Sequence, residues 1–128
     1  MLKTLVVDDS EDFRQSLVEE LYKRFPYMVI TQAICGQDAK QKMNTATPDL
    51  IFMDIRLPDG NGLEVCKQIK IRYPDIDIVV MSSFNLPEYR NAAVKTGAIY
   101  FLAKETLCDS IHHLFNNVLS QRHSTSIG

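Results

Sequence analysis

Five short apolar runs, each followed by a stretch of helical spacing, constrain this chain more than any other feature. They are Leu5-Val6-Val7, Met28-Val29-Ile30, Leu50-Ile51-Phe52-Met53, Ile78-Val79-Val80-Met81 and Ile99-Tyr100-Phe101-Leu102. Their apolarity is continuous rather than alternating, which predicts strands covered on both faces, as in a parallel sheet between helical layers. Between them, Ser10 is placed to cap a helix that carries Phe13, Leu17, Leu21 and Phe25 at every fourth position and stops at Pro26. A weaker helix is expected over Gly36 to Thr45, closed by Pro48, and a third over about Gly62 to Tyr73, burying Leu63, Cys66 and Ile69. The fourth spans about Pro87 to Thr96, with Gly97 as its left-handed cap. The last has the clearest stripe, because Ile111, Leu114, Phe115, Val118 and Leu119 follow i, i+3, i+4, i+7, i+8. The pattern is (βα)5, an α/β fold with an open, doubly wound sheet.

Composition sets the outer bounds. A 128-residue domain hides roughly 70% of the surface its unfolded chain exposes, enough for a core without disulfide or metal staples. Cys35, Cys66 and Cys108 are odd in number and far apart, and are expected to be reduced core thiols in a cytoplasmic protein. The N-terminal apolar run ends at two aspartates, too soon for a signal peptide or membrane span. A net charge of −2 without a Lys/Arg cluster argues against direct nucleic-acid binding by this segment.

In a doubly wound sheet, chemistry gathers where the strands end. Here strand 1 ends in Asp8-Asp9, strand 3 in Asp54 and strand 4 in Ser82-Ser83, and Lys104 follows strand 5. Any one of these residues alone is an ordinary cap, turn or surface group. Together, three crowded carboxylates call for a cation, and oxygen ligands that keep several waters suit Mg²⁺. The same edge offers what phosphoryl transfer needs: a carboxylate nucleophile, a counter-charge and a hydrogen-bond donor for the phosphoryl oxygens. Asp54 is the central candidate acceptor, with Lys104 as counter-charge and Ser82 as donor.

Four segments in order resemble the receiver domains of two-component response regulators, over about Lys3 to Arg122. They are Leu5-Val6-Val7-Asp8-Asp9, Asp49 through Gly62, Val80-Met81-Ser82-Ser83 and Gly97 through Lys104. The resemblance implies a flavodoxin-like strand order 2-1-3-4-5 and phosphorylation of Asp54 from the phosphohistidine of a sensor histidine kinase or phosphotransfer protein. It also implies Mg²⁺ held by Asp9 and Asp54 directly, by the Arg56 backbone carbonyl, and by Asp8 mainly through water. Ser82 matches the switch hydroxyl and Phe101 the switch aromatic. Pro58 and Gly62 match positions that shape the loop after the acceptor, where Gly60 and Gly62 are expected to take positive φ. A phosphoryl group adds about −1.5 to −2 charge, which would draw Ser82 inward and let Phe101 rotate, remodelling the face of helix 4, strand 5 and helix 5. That face, with Tyr89 and Arg90, is a candidate partner or homodimer surface, and helix 1 with helix 5 is an equal one for dimerisation.

The chain departs from the family pattern in three respects. Glu105 follows Lys104 where many receivers have proline, a pairing similar to regulators with a downstream helix-turn-helix DNA-binding domain. The switch hydroxyl is Ser rather than Thr. Phe84 and Arg56 place bulk two residues beyond Ser82 and Asp54, which suggests a shield over an acyl phosphate. His112, His113 and His123 read as solvated, and the tail from Gln121 to Gly128 reads as the start of a linker, with 123–128 outside the domain. The expected protein is a switch that turns over no external substrate. Two alternatives stand beside it: a haloacid-dehalogenase-type phosphatase, which would need Asp-x-Asp where this chain has Asp8-Asp9-Ser10, and a phosphate-independent binding module.

Overall fold

Side chains alternate across three fully covered central strands, and this divides the core into two layers. The computed structural model describes residues 2–119. Strands β1 (Lys3–Val7), β2 (Val29–Ala33), β3 (Leu50–Asp54), β4 (Asp77–Ser82) and β5 (Tyr100–Ala103) form one parallel sheet in the order β2-β1-β3-β4-β5. Helices α1 (Glu11–Arg24), α2 (Gly36–Thr45), α3 (Gly62–Arg72), α4 (Pro87–Lys95) and α5 (Leu107–His113) connect or follow them. Leu5, Val7, Ile51, Met53, Ile78, Val80 and Phe101 pack on one side with Ala39, Met43, Cys66, Ile69 and Ala93 of α2, α3 and α4. Val6, Phe52, Val79, Met81 and Leu102 pack on the other with Leu17, Leu21 and Ile111 of α1 and α5. Each large apolar side chain buried this way contributes about 1.5–3 kcal/mol, so the sheet edge carrying the polar groups rests on the most stable part of the molecule.

Local chemistry sets the helix ends. Ser10 Oγ accepts from the Phe13 N–H at 3.2 Å, acidic Glu11 and Asp12 open α1, and basic Lys23 and Arg24 close it. Pro87 occupies the first turn of α4, and Gly97 beyond its end has φ +88°, as its position predicted. Among the described residues, no helix is long and apolar enough to cross a membrane.

Several expectations are corrected. Edge strand β2 starts one residue later than its apolar run and is mostly exposed, since it pairs with only one neighbouring strand. Phe25 lies beyond α1 as its C-cap, 41% exposed, with its ring 4.9 Å from that of Phe115. The last helix keeps its buried stripe at Ile111, Leu114, Phe115 and Leu119, but becomes a π-helix over Leu114–Leu119. Of the three cysteines only Cys66 is a core thiol, and burial pushes its pKa up to about 12. Cys35 is half-buried, its sulfur accepting from the Asp38 N–H at 3.4 Å to cap α2, and Cys108 is exposed. Gly62 has no positive φ; a Cβ there would lie 1.9 Å from the Asp54 carbonyl oxygen, so space requires the glycine. Gly60 does have positive φ, at +149°. His112 and His113 are exposed as expected, whereas His123 and the tail from Gln121 lie outside the described residues.

Candidate functional site

The strand register brings the polar strand ends together. Asp54 pairs with Met81, one residue before Ser82, and Ser82 pairs with Ala103, one residue before Lys104. Asp8 and Asp9 follow β1, the other neighbour of β3. Asp8, Asp9, Asp54, Ser82 and Lys104 line one open cavity of about 410 Å³, together with Arg56, Pro58 and Phe84.

Charge dominates this cavity. Asp8 is fully buried, Asp54 is 6% exposed and Asp9 is exposed, yet carboxylate oxygens of all three lie within 4.8 Å of one another. Lys104 Nζ sits 2.5 Å from Asp8 Oδ2 and 3.1 Å from Asp54 Oδ2. Burial first, and the negative charge of Asp8 second, raise the Asp54 pKa from 3.8 to about 6, against the opposing pull of Lys104. Asp8 Oδ2 has no aligned hydrogen-bond donor, so its contact with Lys104 is ionic rather than directional. Three clustered carboxylates, one with such an oxygen, fit a hard divalent cation that takes oxygen ligands.

The remaining expected residues have other present partners. Ser82 is buried, and its hydroxyl oxygen accepts from the Phe84 N–H at 2.9 Å. The Arg56 backbone supports the Asp54 carboxylate by a hydrogen bond, which also lowers its pKa slightly. The Arg56 guanidinium lies 4.6 Å from the centre of the Phe84 ring and 3.5 Å from the Tyr89 hydroxyl. Phe101 is already buried in the layer of α4, with the Arg90 guanidinium 4.8 Å above its ring. Two residues escaped the sequence reading. Phe13, read only as a core position, places its ring 4.6 Å from Lys104 Nζ. Asp59 accepts from the Gly36 and Gln37 N–H groups, tying the loop after β3 to the start of α2. No local pattern signals either contact, because each joins segments distant in sequence.

Residues 4–116 match the family described as response regulator receiver domain. The chain belongs to that family. The receiver is 33% identical over 105 residues to the DNA-binding transcriptional activator DevR/DosR of Mycobacterium tuberculosis, covering 82% of this chain and 48% of that protein. A two-component response regulator from Clostridium difficile is similar in structure, with TM-score 0.84, 26% identity and coverage of 95% of this chain and 98% of that one. A response regulator from Burkholderia pseudomallei, solved with a phosphorylated aspartic acid, a calcium ion and citrate, has TM-score 0.80 and 25% identity, over 98% of this chain and 73% of that one. The receiver spans 47–50% of the length of three transcriptional regulators that it matches.

Proposed function

We propose that Asp54 accepts a phosphoryl group from the phosphohistidine of a sensor histidine kinase or phosphotransfer protein, and that the receiver thereby controls an output such as transcription. The observation that carries this reading is the buried Asp54 carboxylate at the end of β3, held at 3.1 Å by Lys104 among two further aspartates. In the transfer, an Asp54 oxygen forms the new bond to phosphorus while the phosphorus–nitrogen bond to histidine breaks, and the imidazole leaves with the bonding pair. Lys104 turns its ammonium from the carboxylates to the incoming phosphoryl oxygens, and Ser82 releases its loop contact to donate to another. Asp9, Asp54, the Arg56 carbonyl and, through water, Asp8 would hold Mg²⁺, which when bound supplies positive charge for the phosphoryl oxygens. Movement of Ser82 would free the Phe84 N–H and disturb the packing of Phe101 beneath Arg90, so the face of α4, β5 and α5 reports the phosphoryl group.

The aspartyl phosphate is lost to water without any external substrate being turned over. The activator DevR/DosR and the phosphorylated aspartic acid of the Burkholderia protein support this reading. A downstream DNA-binding domain, a phosphorylation-dependent homodimer and a cytoplasmic location belong to the same proposal, with residues 1–122 as the receiver unit. The test is intact mass after incubation with acetyl phosphate and Mg²⁺. One added phosphoryl group, base-labile, absent in Asp54→Asn and absent when the metal is chelated, is the expected result. No adduct with any donor overturns the reading, and many turnovers of released phosphate would favour a phosphatase.

A further inference from the structure

We propose that Phe13 is a positioning residue for Lys104, holding the lysine in the acceptor site through the face of its ring. The proposal rests on the receiver chemistry above, in which Lys104 meets the phosphoryl group. Lys104 opens a short 3₁₀ turn, Lys104–Thr106, that has no side-chain cap and whose second residue is Glu105 rather than a rigid proline. The turn alone therefore does little to aim a long, flexible side chain. What surrounds the ammonium is Asp8 at 2.5 Å, Asp54 at 3.1 Å and the Phe13 ring at 4.6 Å from its centre. An ammonium carries three N–H donors, and a ring face attracts it without requiring any one direction. Asp54 takes a directional site, Asp8 adds an ionic contact, and the ring covers a further side of the ammonium.

The ring itself is fixed from several directions. Ser10 Oγ accepts from the Phe13 N–H at 3.2 Å, and the Ser10 N–H donates to Asp8 Oδ1 at 2.9 Å. The neighbouring Arg14 donates to the Asp8 carbonyl at 2.7 Å and to Gln32 Oε1 at 3.0 Å, pinning the first turn of α1 to the ends of β1 and β2. Phe13 also packs against the core layer of α1 and α5. Asp8, Ser10, Phe13 and Lys104 thus form a closed circuit linking α1 to the turn after β5. When the carboxylates exchange Lys104 for other partners, the ring contact persists because it has no preferred direction. The lysine can then slide toward the phosphoryl oxygens without leaving the site.

Proton NMR of the whole chain tests the contact before any chemistry. The Lys104 ε-methylene should be shifted upfield of the other lysines by the ring current; an ordinary shift in the wild type overturns the proposal without a variant. Phe13→Leu, which keeps an apolar residue against the core, should return that shift to the ordinary range, and Phe13→Tyr should retain it. The initial rate of phosphoryl incorporation from acetyl phosphate with Mg²⁺ should fall about three- to tenfold in Phe13→Leu and recover in Phe13→Tyr. A wild-type rate in Phe13→Leu, or equal losses in both variants, overturns the positioning role. If the wild type takes no phosphoryl group, the phosphotransfer reading falls, and the ε-methylene shift alone upholds or overturns the Phe13–Lys104 contact.

Discussion

The end of β3 and the connection that leaves it carry two aspartates in opposite circumstances. Asp54 is buried beside the buried Asp8, and its pKa rises to about 6 even with Lys104 in contact. Asp59 is exposed, and each of its oxygens receives a backbone N–H of α2 at 2.9 Å, which holds its carboxyl below the usual range. Asp59 is a satisfied structural carboxylate, placed where a helix N-terminus favours negative charge. Asp54, though bonded to Lys104 and to the Arg56 backbone, is a buried carboxylate kept beside Asp8, in a cluster whose repulsion a cation or a phosphoryl-transfer step would relieve. The difference teaches where this domain trades stability for chemistry: at the strand ends, and not in the adjoining loop.

The strongest way to break that contrast is at Gly62, which joins the two regions. Its N–H donates to the Ile55 carbonyl at 2.7 Å, and any Cβ would collide with the Asp54 backbone. Gly62→Ala should cost about 3 kcal/mol in urea unfolding, and an unchanged midpoint would show that the Asp54 backbone is not rigidly held.

Next in size is Asp54→Asn. The folded protein keeps the Asp54 proton between pH 3.8 and about 6, where the unfolded chain has already lost it, so stability from this group falls as pH rises through that window. The variant should therefore be more stable than the wild type by about 1–2 kcal/mol at pH 7, discounted for partial exposure to solvent, with the gain shrinking toward pH 4. A gain that does not vary with pH would refute the raised pKa that burial, and secondly Asp8, give Asp54.

At the cavity mouth, Arg56 stacked on Phe84 should slow hydrolysis of the aspartyl phosphate. Phe84→Glu and Arg56→Asn should shorten its lifetime, on the order of threefold each, when phosphate loss is followed after removal of the donor. A longer lifetime in either variant counts against shielding. The smallest effect is expected at the satisfied carboxylate. Asp59→Asn should lower the melting temperature slightly and leave phosphoryl incorporation unchanged, and a change in incorporation would show that the two regions are coupled.

Much of this was legible in the residues. Leu50-Ile51-Phe52-Met53 announces a doubly covered strand because every position is apolar, and Asp54 announces the strand's end because a carboxylate interrupts the apolar run. The same logic places Asp8, Ser82 and Lys104. Edge strand β2 was harder to delimit, since its residues are exposed and its boundary depends on pairing with β1. The reason for Gly62 was misread because the close approach of the Asp54 carbonyl is invisible along the chain. Cys35 and Cys108 look no different in sequence from Cys66, and only packing sorts them into cap, surface and core.

What the sequence determined by itself was the periodicity, hence the elements, and the polar residues at their ends, hence the chemical inventory of the site. These are local matters, governed by backbone preference and by which side chains tolerate burial. Only the tertiary structure decided how that inventory is arranged: Lys104 between Asp8 and Asp54, Phe13 against Lys104, Asp59 across to α2. Each of those contacts depends on strand register and helix packing, which bring together groups far apart in the chain, and their energies arise from distance and desolvation rather than from residue type.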